Sequence, residues 1–92
     1  MKKICLVGKT QYRNYTLMED GRGLVLLGVR VSSCKVPKWS KDNNKSSVYL
    51  RLDKVNDLWL RRILEAIEKK VDGRSKKRLL NMLEAARIYK EL

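Results

Sequence analysis

The sequence predicts an α+β domain in which a four-stranded antiparallel sheet precedes two helices, in the order β-β-β-β-α-α. Three observations carry this reading. The first half holds four runs rich in strand formers, separated by turn signals. At Asp53 the hydrophobic period changes from two to about 3.6. Further on, Asp72-Gly73-Arg74 interrupts the helical pattern, which then resumes to the end of the chain.

Residues 2–7 form the first strand, closed by Gly8-Lys9-Thr10. Residues 12–18 follow, with Tyr12, Tyr15, Thr16 and Leu17 as strand formers, and Glu19-Asp20-Gly21-Arg22-Gly23 reads as a hairpin turn with two glycines available for positive φ. In residues 24–36, Val25, Leu27, Val29 and Val31 alternate with Leu26, Gly28, Arg30 and Ser32, and Gly28 permits a bulge or the close approach of another chain. Pro37 ends that run because it has no N–H for a sheet ladder. A polar connection follows, with Trp39 among lysines and a turn at Asp42-Asn43-Asn44. In the fourth strand Val48, Leu50 and Leu52 share one face while Ser47, Tyr49 and Arg51 share the other.

The first helix takes Asp53 or Asn56 as its cap and buries Val55, Leu60, Ile63, Leu64, Ile67 and Val71, with Trp59 beside the stripe. Ser75 is the expected cap of the second helix, which presents Leu79, Leu80, Met82, Leu83, Ala86 and Tyr89. Hairpin connections make the sheet antiparallel. The whole is one domain over residues 1–92, a basic sheet part (1–53) and a helical part (54–92). A chain of this size buries only about two-thirds of its unfolded surface, so a core shared in a homodimer is expected.

The charge narrows the function. Twenty-two Lys and Arg face ten Asp and Glu, a net +12. Residues 1–52 carry eleven cations and three acids, and residues 53–92 carry eleven and seven. A field of that sign attracts polyanions such as DNA, RNA or an anionic surface. The absence of histidine removes imidazole as base, shuttle or metal ligand. Cys5 and Cys34 have neither metal-ligand nor redox-pair spacing, and both sit in apolar runs, so buried free thiols in a reducing, cytoplasmic setting are expected. The apolar runs are too short for a membrane span or a signal peptide. Gly8-Lys9-Thr10 imitates the tail of a phosphate-binding loop, but the glycine that loop needs five residues earlier is Lys3.

Catalytic chemistry is poorly supplied. Glu19 and Asp20 sit in a turn, Asp53 is a cap candidate, and Glu65, Glu68 and Glu84 space out helix surfaces, so no enzyme activity, metal, cofactor or small-molecule substrate is expected. Binding chemistry is better supplied. Tyr12, Tyr15, Trp39 and Tyr49 are interleaved with Arg13, Arg22, Arg30, Lys35, Lys38, Lys41, Lys45 and Arg51. Cations that track phosphates and rings that stack bases make a single-strand platform of low sequence preference, and alternation suggests that they share one sheet face.

Two resemblances follow from these residues. The order of features over residues 7–64 is similar to the positive-cofactor-four type of transcriptional coactivator. It comprises Gly8, Lys9, Tyr12 and Tyr15, the turn at Gly21 to Gly23, the alternating strand ending near Arg30, a basic hairpin over 35–45, and a strand running into a Trp-containing helix. That resemblance implies a dimer whose curved basic sheets hold single-stranded DNA and whose helices form the dimer contact. Arg13, Arg30, Lys38, Lys45 and Arg51 would then meet phosphates, with Trp39 and Tyr49 stacking. Residues 46–92 alone, with VYLRLD, a helix and GRSKKRLLNMLEAARIYKEL, resemble a ribbon-helix-helix repressor. There Ser47, Tyr49 and Arg51 would read duplex base edges, and Gly73-Arg74-Ser75 would start a phosphate-holding helix. That family's usual spacing between strand and second helix is about a turn shorter. A small basic protein-interaction module is the third reading.

Overall fold

A computed structural model of the chain describes residues 2–31, 39 and 47–91. Four strands, β1 (Lys2–Lys9), β2 (Arg13–Asp20), β3 (Gly23–Arg30) and β4 (Ser47–Arg51), form one antiparallel sheet in the order β1-β2-β3-β4. A single 3-10 turn at Leu52–Lys54 leads into helix α1 (Asp57–Lys70) and then α2 (Gly73–Glu91). The β-β-β-β-α-α order and the antiparallel sheet agree with the reading from sequence. Both helices pack on one face, α1 along β1, and α2 against the 3-10 turn and β3.

Strand pairing assigns the faces, because residues directly opposite one another in a ladder point the same way. Cys5, Leu17, Leu26 and Leu50 make one row across the sheet toward the helices, and Gly8, Tyr15, Gly28 and Val48 make the next. The buried core joins the first of these rows to Leu24, Leu52, Val55, Leu60, Ile63, Ala66, Ile67, Leu79 and Leu83. Val55, Leu60, Ile63, Ile67, Leu79 and Leu83 are positions that the helical period selects, while the predicted Leu64, Val71, Leu80 and Met82 are only partly buried against this core. Cys5 is a buried free thiol, and its burial pushes the thiol pKa up.

The turns and caps show which local interactions decide the boundaries. Between β2 and β3, the Asp20 carboxylate accepts from the Arg22 backbone N–H at 2.8 Å. Of the two glycines there, Gly23 takes the positive φ, at 133°. Between β1 and β2, Thr10 Oγ1 accepts from the Arg13 backbone N–H at 3.2 Å, so the Gly8-Lys9-Thr10 sequence builds a turn. Asn56 caps α1, its side chain accepting from Trp59 N–H at 3.0 Å, while Asp53 lies in the 3-10 turn.

The expected cap of the second helix is corrected. Asp72 holds that place, accepting from the Ser75 N–H at 2.9 Å, and this bond keeps the Asp72 carboxyl below its usual range. The helix therefore begins at Gly73 rather than after Ser75, because the Asp72 carboxylate, three residues upstream of Ser75, reaches the first free N–H groups.

Candidate nucleic-acid interface

The predicted binding residues do not gather on one face. Arg13 is 2% exposed, its guanidinium donating to the Gly28 carbonyl at 3.5 Å. Tyr15 lies on the same helix-covered side and meets Trp59 with ring centroids 4.5 Å apart. Both share the parity of Leu17, and that parity is the reason: a strand residue two places from a core leucine faces the core. Gly28 directly opposes Tyr15, and a Cβ there would stand 2.6 Å from the tyrosine ring. The glycine thus admits a neighbouring strand's ring rather than a bulge.

Tyr49 and Arg51 lie on the opposite face, away from the helices. Its central row runs Leu6, Thr16, Leu27, Tyr49, and Tyr49 is 57% exposed. Val29 on that face is 45% exposed, while Val25 is almost wholly covered. The centre of that face is therefore apolar. Arg51 is held by Asp20 in a two-pronged pair, at 3.1 and 2.9 Å, and that contact keeps the Asp20 carboxyl below its usual range. On the covered side the neighbouring Glu19 takes Arg78 in the same manner, at 2.6 and 3.0 Å, with the same effect on its carboxyl. Glu19 and Asp20 are thus adjacent in sequence but tie β2 to α2 and to β4 respectively.

Of the remaining predicted residues, Tyr12 is half-buried with its carbonyl bonded to the Val31 N–H, and Arg22 is exposed in the hairpin. Arg30 is exposed at the end of β3, opposite Arg13. Trp39 is 83% exposed. Lys35, Lys38, Lys41 and Lys45 lie outside the described residues, as do Cys34, Pro37 and the Asp42-Asn43-Asn44 turn.

A cationic region absent from the sequence reading stands at the other edge of the sheet. Strand β1 pairs only with β2, and α1 runs beside it. A cleft of about 390 Å³ between them is lined by Lys9, Arg62, Lys69 and Lys70, with Glu65 the one acid. Arg62 sits over the Trp59 ring, 4.8 Å from its centroid. The helix residues recur at 62, 66, 69 and 70, a single stripe that the 3.6 period contains. Only the strand order brings Lys9 to it.

Among the described residues, no group of three or more His, Cys, Asp or Glu could hold a metal ion, and no helix is long and apolar enough to cross a membrane. No family model matches the chain, and no curated protein or solved structure is significantly similar to it.

Proposed function

We propose that this chain is a non-enzymatic binding protein for single-stranded DNA or RNA, with little sequence preference. The observation that carries the reading is Trp39, a tryptophan left 83% exposed in a lysine-dense stretch of a chain with net charge +12. Leaving so large an apolar ring in water forgoes roughly 2–3 kcal/mol of burial. A stacked base recovers about 1–3 kcal/mol of it, on any sequence, because every base has a π-face. Tyr49 offers a second exposed ring. Cations of this basic chain would hold the phosphates, as in the coactivator-type family that the order of elements resembles.

Titration of labelled single-stranded and duplex oligonucleotides at two salt concentrations tests this. Single strands should bind more tightly than duplex, with affinity falling as salt rises. A preference for one palindromic duplex would replace this reading with a repressor-like one, and salt-insensitive or absent binding would point to a protein partner instead.

A further inference from the structure

The geometry points to the β1–α1 edge, and not the sheet face away from the helices, as the track for the phosphodiester backbone, an inference that rests on the nucleic-acid reading above. Lys9, Arg62, Lys69 and Lys70 line the first cleft. A second cleft of about 180 Å³ continues past Lys70 along the same strand, adding Lys2 and Lys3. Lys70 belongs to both, and its Nζ donates to the Leu6 carbonyl at 2.8 Å, which seats it at the junction. The second cleft also holds Asp72 and Arg78, and the Lys2 charge acts on the Asp72 carboxyl. Asp72 caps α2, and the nearby Arg78 is taken by Glu19.

Among the described residues, none of the six cations Lys2, Lys3, Lys9, Arg62, Lys69 and Lys70 is in an ion pair. The two arginines of the sheet-and-helix ties, Arg51 and Arg78, both are.

Lysines on an edge strand also discourage strand-to-strand aggregation. That role accounts for Lys2, Lys3 and Lys9. It does not account for a facing helix stripe of Arg62, Lys69 and Lys70, nor for a guanidinium seated on Trp59. The first cleft is of small-ligand size, so it admits a nucleotide or two. Strand β1 is about 26 Å long at 3.3 Å per residue. A stacked strand advances about 3.4 Å per phosphate, so this edge serves several consecutive phosphates.

Fluorescence anisotropy of the 92-residue chain with a labelled oligodeoxythymidine 20-mer, over a salt series, tests the track. Each phosphate contact contributes about 0.7 to the slope of log affinity against log salt. The variant Lys9→Gln/Lys69→Gln should lower that slope by about 1.4 and weaken binding about 25-fold at 0.1 M salt, by the same relation. A matched variant, Lys54→Gln/Lys77→Gln, removes equal charge elsewhere and should leave the slope within about 0.3 of the parent. Circular dichroism checks that both variants fold, and Arg62→Lys provides a milder single change at the same cleft. Equal losses in the two double variants, or an unchanged slope in the first, would overturn the track while leaving nucleic-acid binding intact. Absence of binding by the parent chain would remove both.

Discussion

The two edges of the sheet differ in what they leave unsatisfied. At the β4 edge a tyrosine ring is exposed and the nearest arginine is neutralised by Asp20. At the β1 edge, among the described residues, no ring is exposed, but six cations outside any ion pair line two clefts whose acids are Glu65 and Asp72. Stacking capacity and charge capacity are thereby separated by three strand spacings, about 14 Å. A single nucleotide does not bridge that distance. The contrast teaches that net charge and aromatic content, which the sequence mixes along its length, are sorted in space by strand order and by where the acids are placed.

The largest effect is expected where the covered face supports the β1 edge. Gly28→Ala would drive a methyl into Tyr15, which is backed by Trp59 and cannot swing away. A loss of about 1–3 kcal/mol in chemical denaturation is expected. Trp39→Ala and Tyr49→Ala should each weaken single-strand binding by about 1–3 kcal/mol while leaving the salt slope unchanged. A fall in slope would join the two edges into one site. Oligonucleotide length offers a gentler probe. A trimer should retain salt dependence yet be indifferent to Tyr49→Ala, whereas a 20-mer should sense both.

Acid pH should act on the ties that position these edges. Glu19, Asp20 and Asp72 all have carboxyl pKa values below their ordinary range when folded. Their contribution is complete above the unfolded carboxylate range near pH 4, and is lost as pH falls through the lower folded values. Thermal unfolding between pH 6 and pH 2.5 should show a declining Tm at the acid end. Glu19→Gln/Asp20→Asn should flatten that decline by lowering the neutral-pH Tm modestly toward the acid value, because ion pairs near the surface each contribute little.

Much of this was legible in advance, for physical reasons that can be named. In β4 polar and apolar residues alternate strictly, so Val48, Leu50 and Leu52 could be assigned inward and Tyr49 outward from sequence. The switch at Asp53 and the stripe from Val55 to Ile67 were equally open, because one period fits and the other does not. Strand β3 was not, since Leu24 to Val29 is apolar on both faces and alternation gives no sign. Arg13 and Tyr15 were misleading because residue type outweighed parity: they look like ligand contacts, yet they keep step with Leu17. The β1 cleft was hidden because Lys9 and the stripe at 62 to 70 are distant in the chain, and only tertiary packing makes them neighbours.

The ring seated between Tyr15 and Arg62 gives the molecule an optical asymmetry. Its two tryptophans occupy unlike surroundings: Trp39 in water, and Trp59 half-buried, with a tyrosine 4.5 Å away and a guanidinium 4.8 Å from its centre. Trp39 should emit as a hydrated indole open to ionic quenchers, and Trp59 as a bluer, shielded one that receives energy from Tyr15. The chain therefore carries two native fluorophores, one in the lysine-dense stretch of the sequence and one beneath the Arg62 guanidinium, whose separate responses would tell apart ligands that approach either.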